Sequence, residues 1–228
     1  MTSVTPAPVQ PQPIRHSVTS NYVQYGCGWS APDDWINFDA SFTLRWERLP
    51  ILGRIYTKNA RRFPANVKYG DIVKGLPIAE ESCRGIYASH VLEHLALEDF
   101  HRALKNTYKL LRKGGVFRLV VPDLEGLVRE YLGRLERNEV NANTLLLRQT
   151  NLGTERRPRG IIGNVYKLLN TSSHLWMWDQ TSLTYALEEA GFVQVRPCRF
   201  GDSEDDKFTL VEEAVRFEKH AVAMEGRR

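Results

Sequence analysis

The sequence predicts an α/β protein: one doubly wound, mostly parallel sheet of seven strands with a single antiparallel strand. Three observations carry this reading. Short runs of β-branched and aromatic residues alternate with stretches of helical period, which places helices on both faces of a parallel sheet. A glycine turn, Gly26-Cys27-Gly28, follows the first run, and Asp39 and Asp71 follow the second and third. Finally, 228 residues with 42% hydrophobic and 25% charged suit one substantial core, and hence one domain over 21–228.

The elements follow in order. Residues 1–20 carry four prolines among small polar residues, and this stretch is expected to be a flexible arm. Tyr22 to Tyr25 is the first strand, running into the glycine turn, and Trp35 to Phe38 is the second, ending on Asp39. Between Ala40 and Pro64, arginines interleave with apolar residues. Pro50 and Gly53 limit this stretch to short helices with a basic outer face, read here as a possible membrane-surface contact over 45–62. Asn66 to Ile72 holds the third strand, ending in Asp71, and Arg84 to Ser89 is the fourth. Leu97, Phe100, Leu104, Tyr108 and Leu111 recur at helical spacing, with Gly114-Gly115 as the expected stop. Val116 to Val121 is the fifth strand, closed by Pro122-Asp123. A helix over Leu124 to Leu135 then opens an insertion at about 124–180, placed where an acceptor-binding lid belongs. Thr181 to Ala190 is a helix stopped by Gly191, Phe192 to Arg196 a strand, and Phe217 to Met224 the last, antiparallel strand. The acidic run from Asp202 to Asp206 reads as a solvated loop.

Composition narrows the function classes. A net charge of +4, with acids among the bases, does not indicate specific nucleic-acid binding. Three cysteines without C-x-x-C spacing argue against a disulfide framework or structural zinc and fit a reducing cytoplasm. No apolar run reaches the roughly 20 residues of a membrane span, and the N-terminus lacks a signal-peptide core. His90 and His94 are spaced i, i+4, but no third ligand stands nearby in sequence, so no metal is expected.

Six segments in this order carry a resemblance: Tyr25-Gly26-Cys27-Gly28, Asn37-Phe38-Asp39, Gly70-Asp71-Ile72 with Leu76-Pro77, Tyr87 to His94, Leu111 to Gly115, and Val121-Pro122-Asp123. Together they resemble the class I S-adenosylmethionine-dependent methyltransferases, with their Rossmann-like sheet. More narrowly, they resemble the bacterial branch found with surface-polysaccharide and other glycan biosynthesis. A weaker echo lies in His174 to Asp179 and Glu189 to Phe192. The family commonly reads Gly-x-Gly-x-Gly, whereas the third position here is Ser30, and 28–35 is too short for a long first helix.

The resemblance implies a site. Gly26, Cys27 and Gly28 would line the amino-acid end of S-adenosylmethionine, and Asp39 would take the ribose hydroxyls. Asp71 and the backbone of Ile72 would meet the adenine, with Ser89 and His90 beside the methionine portion and the transferred methyl. The activated methyl asks the protein for alignment and, with a hydroxyl acceptor, for removal of a proton. The candidate bases are His174, His90 and His94; His174 is favoured, with Asp123 as a second polar group and Trp176 and Trp178 as flat faces for a sugar ring. The expected acceptor is a sugar or glycan hydroxyl. The alternatives are an inactive binding module in a glycan assembly complex and an RNA or protein methyltransferase. A nicotinamide oxidoreductase is disfavoured because Ala31 stands at the sixth position of G-x-G-x-x-G.

Overall fold

The computed structural model describes residues 21–50, 61–155, 173–218 and 220–228. The N-terminal arm, the centre of the arginine-rich stretch and the later part of the insertion lie outside them. In chain order the described elements are β1 (Asn21–Tyr25), β2 (Ile36–Asp39), α1 (Phe42–Glu47), β3 (Val67–Tyr69), β4 (Cys83–Ser89), α2 (Leu97–Leu110), β5 (Leu111–Pro122), α3 (Leu124–Glu136), α4 (Ala142–Gln149), α5 (Gln180–Glu189), β6 (Val193–Pro197) and β7 (Ala221–Arg227). Short 3-10 turns cover Leu92–His94, Asp206–Leu210 and Ala214–Phe217.

The seven strands form one sheet in the order β3-β2-β1-β4-β5-β7-β6. Every neighbouring pair from β3 to β5 is parallel, and β7 runs antiparallel between β5 and β6. Side-chain alternation along the central strands makes two cores. Val23, Tyr25, Ile86, Ala88, Phe117 and Leu119 face Phe100 and Leu104 of α2 and Leu183 and Leu187 of α5. Tyr22, Tyr87 and Val120 face the other way, onto Trp35 and Phe208. Because β1, β2, β4 and β5 are parallel, Gly26, Asp39, Ser89 and Asp123 all lie at or just past strand ends on the same edge of the sheet.

Several expectations are corrected. The third strand ends at Tyr69, not at Asp71, because the chain must turn at Gly70, whose missing Cβ would lie 2.5 Å from the Phe38 ring. Gly114-Gly115 does not stop the helix. α2 ends at Leu110, buried Leu111 at once pairs with Cys83, and the glycines accommodate the register break that follows. Gly114 there has φ +73°, and a Cβ on Gly115 would sit 2.8 Å from the Cys83 carbonyl. The last strand begins at Ala221, after a 3-10 turn through Phe217.

The acidic run is not a free solvated loop. Arg118, 1% exposed in the middle of β5, donates to Glu212 at 2.7 Å, Glu225 at 2.6 Å, Asp202 at 2.9 Å and the Arg199 carbonyl at 2.9 Å. Asp205 accepts from Tyr22 at 2.7 Å and pairs with Arg84 at 3.0 Å. In the arginine-rich stretch, Arg48 donates to the carbonyls of Pro64 and Val67, and Arg45 lies over the Tyr69 ring. No helix among the described residues is long and apolar enough to cross a membrane.

Candidate active site

The turn after β1 is built from beneath. Buried Gln24 donates from Nε2 to the Ser30 carbonyl at 2.7 Å and to Asn37 Oδ1 at 2.6 Å, so one side chain ties the turn to β2. The Cys27 N–H donates to the Phe38 carbonyl at 3.1 Å, and the Gly28 N–H to Asp39 Oδ2 at 3.1 Å. Asp39 Oδ1 accepts from the Ser41 N–H at 2.8 Å, while Ser41 caps α1 through its hydroxyl. Gly26 has φ +66° and a Cβ there would lie 2.1 Å from Val91, so only glycine fits. Gly28 has φ +55° and faces open space. Gln24 and Asn37 carried no role in the sequence reading, although two amides within buried strands beside a glycine turn are a usable signal.

This turn is one wall of a cavity of about 350 Å³. Tyr87, Ser89 and His90 at the end of β4 form the second wall, and Glu213, Arg216 and Arg61 the rim. Burial pushes the Cys27 thiol up to about 12, with the Asp39 charge adding to it, so Cys27 is a neutral lining group. Tyr87 Oη and Ser89 Oγ lie near one another, yet both are buried without a hydrogen bond of normal geometry. Unsatisfied donors and acceptors beside an open glycine backbone fit the polar amino-acid end of S-adenosylmethionine. Asp39 does not line this cavity but is joined to its wall through the Gly28 N–H, and it keeps lone pairs beyond its two backbone donors, which suits a ribose diol.

Other candidates lie apart from the cavity. Asp71 sits in the turn after β3, where Oδ1 accepts from the Val73 N–H at 3.0 Å and Oδ2 pairs with Lys74 at 3.2 Å. The Ile72 side chain is buried in the core. Asp123 caps α3 by accepting from the Glu125 N–H at 3.0 Å and forms an isolated bridge with Trp178. Trp178 is 4% exposed, stacked on Phe100 with centroids 4.1 Å apart, and is therefore core rather than a sugar platform; Trp176 is 42% exposed.

His90, His94 and His174 gather around Glu93. His90, at φ +54°, takes a left-handed conformation held by its N–H donating to the Val120 carbonyl at 2.8 Å. Its Nδ1 lies 3.4 Å from Glu93 Oε1 and its Nε2 3.3 Å from the Arg216 carbonyl. His94 Nδ1 donates to the Ser173 carbonyl at 3.1 Å, leaving Nε2 3.9 Å from Glu93 Oε1. The Leu175 and Trp176 N–H groups both donate to the Glu93 carbonyl, at 2.7 and 3.2 Å, which brings His174 to a ring-centroid distance of 5.1 Å from His94. Burial pulls the His174 pKa below its ordinary value against the opposing charge of Glu93. Of the four histidine-cluster residues, only His90 lines the cavity.

A Rossmann-like sheet whose parallel strands end in a glycine turn, a buried acid and a polar cavity defines a nucleoside-cofactor enzyme. The methyltransferase domain profile matches residues 35–196, and the chain belongs to that family. It is an S-adenosylmethionine-dependent methyltransferase. Similar solved structures include an S-adenosylmethionine-dependent methyltransferase from Archaeoglobus fulgidus, 13% identical, covering 92% of this chain and 86% of that one at a TM-score of 0.46. A possible histamine N-methyltransferase from Thermotoga maritima is 18% identical, covering 91% and 81% at 0.47. PigF with S-adenosylhomocysteine is 14% identical, covering 91% and 50% at 0.47. A comparison with curated proteins finds no match.

Proposed function

We propose that the enzyme methylates a hydroxyl of a sugar or glycan precursor and that His90 removes the acceptor proton. The position of His90 carries this reading: it lines the cavity, at the end of β4 beside Ser89. The cofactor supplies an activated methyl, so the chain's tasks are alignment and proton removal. Both ring nitrogens of His90 face acceptors, Glu93 on one side and the Arg216 carbonyl on the other. The sequence favours His174 for this role, but that ring stands behind His94, away from the cavity lining.

Support for a sugar comes from Trp176. Its backbone is fixed to the Glu93 carbonyl, so a half-exposed indole stands beside the histidine turn and offers a flat face to a ring. The test is formation of S-adenosylhomocysteine with sugar nucleotides, compared with amines, RNA and peptides. A sugar-dependent turnover that drops about 10²–10⁴-fold in His90→Gln, with cofactor affinity kept, supports the reading. Turnover confined to another acceptor class, or indifferent to His90, overturns it.

A further inference from the structure

Glu93 is the most exceptional ionisable group among the described residues. Its side chain is 1% exposed and both carboxylate oxygens are buried without a hydrogen bond. Its nearest partners are imidazole nitrogens of His90 at 3.4 Å and His94 at 3.9 Å, and a buried carboxylate so short of hydrogen bonds calls for a cation. Three imidazoles surround it, and those of His94 and His174 each bring a nitrogen to a site where all three ligand atoms lie within 4.8 Å of one another.

We propose that Glu93, His94 and His174 bind a divalent first-row transition cation beside the methyl-transfer cavity. The donor set is two imidazole nitrogens and one carboxylate oxygen, which suits zinc and its neighbours better than magnesium or calcium. Ligand atoms in a tetrahedral site stand about 3.3 Å apart. Here no two ligand atoms are more than 4.8 Å apart, and His94 Nε2 is already 3.9 Å from Glu93 Oε1.

The surroundings are those of ligands held in place. His94 donates from Nδ1 to the Ser173 carbonyl at 3.1 Å, which fixes its tautomer and turns the Nε2 lone pair toward Glu93. His174 Nε2 meets the Asn151 side-chain amide at 3.4 Å, and its Nδ1 is buried with no partner. Turning the Asn151 amide so that its oxygen accepts from Nε2–H leaves the Nδ1 lone pair for a ligand. The Leu175 and Trp176 N–H groups, both on the Glu93 carbonyl, lock the segment that carries His174 to the turn that carries the other two.

Three protein ligands leave coordination positions for water or an acceptor oxygen, the pattern of catalytic rather than structural sites. The cation lies one imidazole away from the cavity, because Glu93 Oε1 is 3.4 Å from His90 Nδ1. There it would lower the pKa of a bound hydroxyl and shorten the proton's path to His90. The proposal deepens the methyl-transfer reading but is tested without cofactor or acceptor.

The experiment strips the full chain with a chelator and titrates it with Co²⁺, following heat and the visible d–d absorption of a low-symmetry site. One equivalent should bind, Zn²⁺ should displace it and bleach the absorption, and Glu93→Gln and His174→Gln should each weaken Co²⁺ affinity at least tenfold. Circular dichroism verifies that the variants fold, and Asp39→Ala, outside the cluster, should take up Co²⁺ as the unmodified chain does. Absence of stoichiometric Co²⁺ binding, or equal binding by all three variants, overturns the proposal. If Co²⁺ binds as expected while calorimetry finds no S-adenosylmethionine binding, the metal site stands and the cofactor geometry fails.

Discussion

The Gly28 N–H donates to Asp39 Oδ2 at 3.1 Å, joining the turn after β1 to the acid after β2. A carboxylate that shapes the turn and also takes the ribose hydroxyls, as proposed for Asp39, would couple turn geometry to cofactor affinity. Asp39→Ala should lose about 10–100-fold in S-adenosylmethionine affinity, since hydrogen bonds to charged groups contribute about 1.5–3 kcal/mol. Asp39→Asn, which keeps one acceptor oxygen, should lose less. Calorimetric titration of both variants checks the order.

The two glycines of the turn should respond differently to alanine. At Gly26 the added methyl meets Val91 at 2.1 Å and φ is +66°, so Gly26→Ala must displace the His90 turn and lower both stability and cofactor binding. At Gly28 the methyl enters open space, and the cost to folding is the left-handed strain of about 1–2 kcal/mol. Gly28→Ala should remain folded yet bind cofactor poorly. Thermal melts with and without S-adenosylhomocysteine separate the two.

Arg118 ties the 199–212 segment to β5 and β7. Replacing it with Leu leaves Glu212 buried without its cation and Glu225 with Arg196 alone, and unfolding free energy should fall by about 3–5 kcal/mol in urea titrations. Arg118→Lys should rescue little, because one ammonium cannot reach the acceptors of a planar fork.

Acid should loosen the same network. Burial pushes the Asp202 carboxyl up, but hydrogen bonds from Arg118, the Arg199 backbone and Arg196 outweigh it and leave the group below its ordinary 3.8. A depressed carboxyl binds its proton more readily in the unfolded chain, so its stabilising contribution is complete above about pH 3.8 and is lost as pH falls through the lower folded value. Asp202→Asn should flatten the acid limb of the stability profile below pH 4 and leave its shape near neutrality unchanged.

All three cysteines should be silent in the folded protein. Burial raises Cys27 and Cys198 to about 12 and Cys83 to about 11. A thiol-reactive dye at pH 8 should label the native chain slowly and the unfolded chain at once.

Local patterns made much of the molecule readable. The strand, glycine turn, strand and acid from Tyr22 to Asp39 all lie within a few residues of one another, and the helical period from Leu97 marks α2 directly. What sequence did not yield depends on distant partners. Glu93 and His174 are 81 positions apart, and only the fold supplies the third metal-ligating group that His94 lacked. Trp176 and Trp178 look alike in sequence, but one is half-exposed and the other stacked on Phe100, because the bridge to Asp123 turns Trp178 inward. The acidic run appeared solvated because its cation, Arg118, sits in β5, although a lone arginine among the apolar residues of Val116 to Val121 was a sign that acids must meet it.

The segment carrying His174 to Trp178 is stitched to the cofactor half at both ends: two N–H groups on the Glu93 carbonyl, and the Leu124 N–H on the Trp178 carbonyl at 2.8 Å. The described part of the span between α3 and those stitches, 137–155, contributes no residue to the lining of the glycine-turn cavity. Natural variation in acceptor choice should accordingly concentrate in that span, and grafting it between relatives offers a route to new substrates on an unaltered methyl-donor site.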